Sequence, residues 1–256
     1  MSDLIKTEIR DHILIITLNR PEARNAFNFA MATRMEEVLD SYDNDKTLRA
    51  AVITAEGPTF SAGQDLIAAA KGERSVTKNR GGFGIMNKPP EKPLIAAVEG
   101  QALAGGMEMV LCCDMVVASR KAVFGLAEAK RGLVALGGGC FRLPHRIPRN
   151  IAMELILTAE PRSAEDMERF GLVNRLVEPG QTLAEALKLA ALISRNGPLS
   201  VRASKAIAYH SMAEQWKDEE GWVKQMTYFA MVQNSKDLKE GLKAFAEKRD
   251  PVWTGE

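Results

Sequence analysis

Residues 94–118, LIAAVEGQALAGGMEMVLCCDMVVA, contain the pattern on which the predicted fold depends. The stretch begins with an apolar strand at residues 94–98 and ends with another at residues 115–118. Between them, Ala104, Gly105 and Gly106 come directly before a run with helical character. Short apolar strands that alternate with helices are typical of α/β proteins in which both faces of the sheet are covered.

The first two-thirds of the chain continue this pattern. Further strands are predicted at residues 13–18, 51–54 and 122–125. Asn28 is predicted to cap a helix whose apolar positions recur at helical spacing. Segment 66–92 is rich in glycine and basic residues and receives no predicted element; a long loop of this kind is usually functional or mobile.

From about residue 148 the pattern is wholly helical. Capping boxes are predicted at residues 163–166 and 182–185, and helices at residues 200–212, 218–232 and 237–247. We therefore predict an α/β core at residues 1–195 and a C-terminal helical region at residues 196–256. Its apolar side chains are predicted to pack on the core and on a second subunit; they are Met212, Trp216, Trp222, Met226, Phe229 and Phe245.

The composition narrows the function classes. Lys and Arg (34) balance Asp and Glu (33), which leaves a formal charge of +1 and argues against non-specific binding of nucleic acid. The three cysteines form no disulfide framework and indicate a reducing compartment. The N-terminal residues lack the apolar stretch of a signal peptide, and the longest apolar run, residues 107–118, is too short to span a bilayer. A cytoplasmic protein without a membrane partner is predicted.

Several common chemistries have no sequence support. The three histidines His12, His145 and His210 are far apart, so no metal site is predicted. There is no Walker loop, no G-x-S-x-G motif and no complete dinucleotide fingerprint. The glycines at residues 137–139 do not open a periodic helix after a strand. The sequence thus predicts no metal and no redox cofactor.

Small residues at two strand ends suggest a site for a ligand. Ala62-Gly63 and Ala104-Gly105-Gly106 each come between a strand-like run and a helical pattern. Backbone N–H groups at such points are open to close approach by a ligand, and two of them on neighbouring strands can form an oxyanion hole. The alternative, which the sequence leaves open, is that these glycines only serve tight turns.

Two glutamates are candidate acid–base residues. Glu108 is surrounded by apolar residues, where an unpaired carboxylate is costly to ionise, and Glu128 follows the strand at residues 122–125. Both can act as general acids or bases with altered pKa values. Alternatively, Glu108 is a first-turn residue that the helix dipole favours, and Glu128 is a surface charge.

Six blocks in order along nearly the whole chain resemble the enoyl-CoA hydratase/isomerase (crotonase) superfamily. They are NRP…RNA at residues 19–26, FSAGQDL at 60–66, KPLIAAVEG at 92–100, AGGME with CD at 104–114, FGLAE at 124–128, and EGLKAFAEKR at 240–249. The resemblance implies a crotonase-like spiral of ββα units and a C-terminal helical trimerisation region. The chain is then a trimer or a dimer of trimers.

The resemblance also implies roles for individual residues. The N–H groups of Ala62 and Gly105 form the oxyanion hole, and Glu108 and Glu128 are the two catalytic carboxylates. Coenzyme A, as part of an acyl-CoA substrate, contacts the hole residues and a second group, Arg24, Gly63, Gln64 and Asp65. Because relatives with other activities often lack one carboxylate, both together favour hydration of a 2-enoyl-CoA or its reversal.

Two alternatives remain at this stage. One is an enoyl-CoA isomerase of the same fold that works mainly through Glu128. The other is a non-catalytic CoA-binding or RNA-associated relative. Ala127 and Ala135 stand where many hydratases have proline, so the acyl preference is open.

Overall fold

The computed structural model describes residues 4–256. Its strands are β1 (Ile5–Arg10), β2 (Ile13–Leu18), β3 (Ala50–Ala55), β4 (Thr59–Ser61), β5 (Val76–Thr77), β6 (Gly81–Gly82), β7 (Leu94–Val98), β8 (Gln101–Leu103), β9 (Met115–Ser119), β10 (Val123–Gly125), β11 (Arg162–Ser163) and β12 (Arg175–Val177). Its helices are α1 (Phe29–Asn44), α2 (Leu66–Ala70), α3 (Gly105–Val110), α4 (Gly139–Arg146), α5 (Arg149–Thr158), α6 (Ala164–Arg169), α7 (Thr182–Ser194), α8 (Pro198–Ala213), α9 (Asp218–Gln233) and α10 (Lys236–Glu247). Residues 1–3, which the predicted core and the prediction of no signal peptide include, lie outside the described residues.

From β3 onward the chain passes repeatedly between two sheets, apart from the separate pair β5 and β6. The larger sheet has the order β1-β2-β3-β7-β9-β12, and the smaller sheet has the order β11-β10-β8-β4. The chain therefore passes from β3 to β4, from β7 to β8 and from β9 to β10, each time from the larger sheet to the smaller one. The helices α2 and α3 follow the first two of these steps. This arrangement confirms the predicted spiral of ββα units.

The apolar strands of the larger sheet are buried on both faces. Along β7, Leu94, Ala96 and Val98 belong to the main core, whereas Ile95 and Ala97 pack with Ala186 and Ala190 of α7 on the other face. Since successive side chains of a strand point to opposite faces, a strand covered on both sides requires a continuous apolar run. The run at residues 94–98 has this form.

Three local predictions need correction. The chain after residue 148 is not wholly helical, because β11 and β12 add short edge strands to the two sheets. Thr182 does not cap α7; its hydroxyl donates to Glu99 at 2.8 Å, and Gln181 precedes the helix. The segment at residues 66–92 contains α2 and the paired strands β5 and β6. By contrast, Ser163 and Asn28 accept hydrogen bonds from the N–H groups of Asp166 and Met31, as the predicted caps require.

The C-terminal helices leave a large apolar surface uncovered. Lys205 of α8 is joined to Asp114 of the core by an ion pair of 2.8 Å. Beyond it, Trp222 is 73% exposed and Phe245 is 87% exposed. Within residues 4–256, no helix combines the length and the apolar character that crossing a membrane requires. The division at residue 195 stays a prediction.

Candidate active site

Two strand-end turns lie against each other at one edge of the smaller sheet. β4 and β8 are parallel neighbours, so the turns at residues 62–64 and 104–106 leave the sheet on the same side. A Cβ atom added to Gly63 would lie 2.8 Å from the backbone nitrogen of Gly105. Only glycine allows this approach, and its φ of +92° also favours glycine. The structure thus brings together the two turns that the sequence singled out.

The backbone donors of the first turn are nearly all in use. The N–H of Ala62 donates to the carbonyl of Arg24 at 3.0 Å, and the N–H of Gly63 donates to Oγ of Ser61 at 3.1 Å. The N–H of Phe27 donates to the carbonyl of Gly63, and the N–H of Asp65 donates to the carbonyl of Phe27, which forms a parallel bridge. In such a parallel bridge, the N–H of Gln64 points away from the partner strand.

Ala62 is therefore the wrong residue for the predicted donor, because its hydrogen is already bonded to Arg24. Within residues 4–256, the N–H of Gln64 has no acceptor. The prediction fails because the N–H of Ala62 is taken up by a contact with Arg24, and the two residues are far apart in the sequence. The donor that remains open is two residues further along the chain.

The second turn presents the N–H of Gly105. Ala104 has φ +51° and ψ −127°, a strained conformation for a residue with a side chain. Its own N–H donates to the carbonyl of Gly125 at 2.8 Å. Gly105 is the first residue of α3, where helical N–H groups have no partner within the helix. Strained backbone that leaves a free donor at a helix start is typical of a functional site.

Glu108 lies one turn further along α3, on the same face as Gly105. It is 4% exposed, and its Oε1 accepts a hydrogen bond of 2.9 Å from the N–H of Gly139. A Cβ on Gly137 would lie 2.6 Å from Oε2 of Glu108, so the carboxylate lies directly against this glycine. Burial raises the pKa of Glu108, while the N–H groups of Gly139 and Gly137 and the charge of Arg142 oppose that rise.

Glu128 begins the 3₁₀ turn Glu128–Arg131 after β10 and is partly buried. Its Oε2 is buried and has no hydrogen-bond partner within residues 4–256. Burial, together with the charge of Glu108, raises the pKa of Glu128 to about 7. The two carboxylates are thus close enough to influence each other, and Glu128 is not an ordinary surface charge.

An apolar pocket adjoins Glu128. The residues that line it with Glu128 are Leu126, Ala129, Leu133, Val134, Ala135, Cys140, Ile156 and Leu157. The chain can therefore hold an apolar group beside a carboxyl group whose pKa is near neutral. Pockets of this composition, with few polar groups, are typical of small-molecule sites.

The other predicted contacts with coenzyme A lie around the first turn. Arg24 and Gln64 are exposed. Asp65 caps α2 through the N–H groups of Ile67 and Ala68 and pairs with Arg20 at 2.7 Å. These hydrogen bonds lower the pKa of Asp65. The carboxylate of Asp65 therefore already has structural partners, whereas the side chains of Arg24 and Gln64 face solvent.

Two residues that hold Glu108 were not among the predicted site residues. Gly137 and Gly139 act through backbone N–H groups, and their sequence signal, the run of glycines at residues 137–139, was used only to exclude a dinucleotide site. Within residues 4–256, no group of three or more His, Cys, Asp or Glu side chains is arranged to hold a metal ion. The predictions of no metal and no cofactor stay predictions.

The chain is similar to known proteins over nearly its whole length. The profile of a family described as enoyl-CoA hydratase/isomerase matches residues 8–256. The chain is 39% identical over 246 residues to the mevalonyl-coenzyme A hydratase sidH of Aspergillus fumigatus, covering 94% of this chain and 91% of that protein. It is 40% identical over 263 residues to a carnitinyl-CoA dehydratase of Salmonella heidelberg, with full coverage of both. A crystal structure of a probable enoyl-CoA hydratase/isomerase from Mycobacterium abscessus superimposes with a TM-score of 0.95, at 52% identity and full coverage of both chains.

Proposed function

This chain belongs to the enoyl-CoA hydratase/isomerase family, and we propose that it adds water to a 2-enoyl-CoA thioester or catalyses the reverse dehydration. The observation that carries the proposal is the buried carboxyl group of Glu108 and the partly buried one of Glu128, beside two backbone N–H groups that have no acceptor within residues 4–256. One carboxyl group has a pKa of about 7, so the pair can hold a single proton near neutral pH.

The proposed mechanism uses each group once. The N–H groups of Gln64 and Gly105 donate to the thioester oxygen and stabilise the enolate that forms beside it. Ionised Glu108 accepts a proton from the water whose oxygen bonds to C3. Protonated Glu128 gives its proton to C2, and the C2–C3 double bond becomes single. The proton then passes back from Glu108 to Glu128, and in dehydration the same steps run backwards. Adding water exchanges no electrons with another partner, so no redox partner is needed, and we propose no cofactor besides the coenzyme A of the substrate.

The acyl group is proposed to be apolar. The pocket beside Glu128 is lined by aliphatic side chains, and its lining contains no aromatic residue. A quaternary ammonium group, such as the acyl group of carnitinyl-CoA carries, is recognised by aromatic rings. We therefore expect kcat/KM to be at least about tenfold higher for an unsubstituted short or medium 2-enoyl-CoA than for a chain with trimethylammonium at C4.

A panel of enoyl-CoA thioesters tests both parts of this proposal. Hydration is followed as loss of the conjugated enoyl absorbance. No loss with any thioester argues against hydration itself. A preference for the cationic chain contradicts only the apolar acyl group.

The pH profile should be bell-shaped and the same in both directions. The overall reaction neither takes up nor releases a proton, so its equilibrium constant does not depend on pH. Hydration needs Glu128 protonated and Glu108 ionised; dehydration needs the opposite arrangement of the same single proton. We expect kcat/KM to rise with pH as Glu108 ionises and to fall above about pH 7 as the pair loses its proton. A flat profile from pH 6 to 9 would contradict the shared proton.

The apolar tail supports a homo-oligomer, proposed here as a trimer or a dimer of trimers. Exposed Trp222, Met226 and Phe245 need a covering surface, and a second copy of the chain supplies one. Light scattering at micromolar concentration should give at least three subunits, and a monomer would contradict this. Truncation after Met212 should yield insoluble protein.

The cysteines bear on the compartment of the protein. The three cysteines are free, which supports a reducing compartment, and we propose the cytoplasm. No nucleic acid or membrane partner is proposed. An isomerase that uses only Glu128 is the second candidate function, because the pKa of Glu128 alone suits proton transfer at C2.

A further inference from the structure

Arg142 of α4 joins three segments around Glu108. Its Nη2 donates to the carbonyl of Met86 at 2.7 Å, and its Nη1 donates to the carbonyl of Gly137 at 3.0 Å. Nη1 also lies 3.4 Å from Sγ of Cys112, which follows α3. A planar guanidinium can bridge several acceptors in fixed directions, which an ammonium group cannot do. Arg142 therefore ties the loop before α4 to the end of segment 66–92.

The glycines at residues 137–139 allow this arrangement. A Cβ on Gly138 would lie 2.4 Å from Nη1 of Arg142, and its φ of +111° favours glycine. A Cβ on Gly137 would lie 2.3 Å from Sδ of Met86 and 2.6 Å from Oε2 of Glu108. The loop thus lies directly against the guanidinium on one side and the carboxylate on the other.

We propose that Arg142 is a positioning residue, which holds this loop so that the N–H groups of Gly137 and Gly139 meet the carboxylate of Glu108. The proposal rests on the proposed function, in which Glu108 must be ionised to accept a proton from water. It assigns Arg142 no contact with substrate, because its donors are directed at backbone carbonyls and Cys112.

The charged and titratable groups around Glu108 determine the sign of the effect. They are Arg142 on α4, Glu128 after β10, and the thiol of Cys112. Arg142 is the cation among them. Its removal withdraws a positive charge and releases the loop donors, and both changes disfavour the ionised form of Glu108. The pKa of Glu108 should therefore rise.

The test compares Arg142→Met with Arg146→Met, a matched control one turn along α4. Arg146 also donates to a backbone carbonyl, that of Cys113, at 3.0 Å. In Arg142→Met we expect the midpoint of the acidic limb in the pH profile of kcat/KM to move up by about one pH unit. The KM of Arg142→Met should differ from that of wild type by less than twofold. Arg142→Lys should return the midpoint of the acidic limb only part of the way to its wild-type pH. Arg146→Met should keep the wild-type limb.

A second readout does not depend on hydration. The carboxyl infrared band of Glu108, identified as the difference between wild type and Glu108→Gln, gives its pKa directly. This pKa should rise in Arg142→Met, even if the protein hydrates no thioester. Gly138→Ala, which displaces the guanidinium without removing it, should shift the pKa in the same direction and replaces Arg142→Met if that variant does not fold. An unchanged Glu108 pKa in Arg142→Met or its replacement, or an equal shift in Arg146→Met, overturns the proposal.

Discussion

Glu108→Gln and Glu128→Gln are each expected to lower kcat for hydration by about 10²- to 10⁴-fold. An amide has nearly the shape of a carboxyl group but neither accepts nor releases a proton in this pH range. KM should change little, because the thioester oxygen and the acyl chain are bound by other groups. Steady-state kinetics with a good 2-enoyl-CoA measure both values. Near-wild-type hydration by either variant would mean that two carboxylates are not required.

The two variants should differ in a simpler reaction. Exchange of the C2 proton of a saturated acyl-CoA with D₂O needs a base at C2 and the oxyanion hole, but no attacking water. We therefore expect Glu108→Gln to retain this exchange and Glu128→Gln to lose it. Mass spectrometry of the recovered acyl-CoA measures the deuterium. The opposite result would exchange the roles of the two glutamates.

Stability provides the control for Glu128→Gln. The pKa of Glu128 is raised in the folded protein to about 7, so the unfolded chain loses this proton at lower pH, and the fold loses stability as the pH rises from the unfolded pKa to about 7. The melting temperature of Glu128→Gln minus that of wild type should therefore be larger at pH 8 than at pH 5. A lower melting temperature at pH 8 would show that lost activity reflects damaged structure.

The fold was largely predictable because its strong signals are local. Continuous apolar runs, such as residues 94–98, mark strands that are covered on both faces. β11 and β12 were missed because they are two and three residues long and contain arginine. Such strands form only because a sheet edge is available to pair with them, which is a tertiary effect. Thr182 was misjudged for a similar reason, since its partner Glu99 is distant in the sequence.

The site was predictable where chemistry follows residue type. Glu108 and Glu128 stand out because carboxylates are rare beside apolar strands and helices. Backbone donors are different, because every residue except proline has an N–H. Whether that N–H is free depends on pairing between segments, here between Ala62 and Arg24. The contacts of Gly137 and Gly139 with Glu108 depend on tertiary packing in the same way.

Solvent oxygen in the product separates the two candidate reactions most completely. If both glutamates act on one water, reaction of a 2-enoyl-CoA in H₂¹⁸O should place ¹⁸O at C3 in essentially every product molecule. In D₂O, one deuterium should enter C2. An isomerase that uses Glu128 alone would move a proton between C2 and C4 of a 3-enoyl-CoA and incorporate no oxygen.

We expect oxygen incorporation because of where the structure holds Glu108. Its carboxylate is buried and would be costly to ionise, yet it accepts an N–H bond from Gly139 and lies near the charge of Arg142. These groups favour the ionised form, which a base for water requires and which proton transfer between C2 and C4 does not use. Mass spectrometry of products from short and medium 2-enoyl chains provides the measurement. Products without ¹⁸O, together with turnover of 3-enoyl chains, would establish the isomerase and leave Glu108 without a catalytic role.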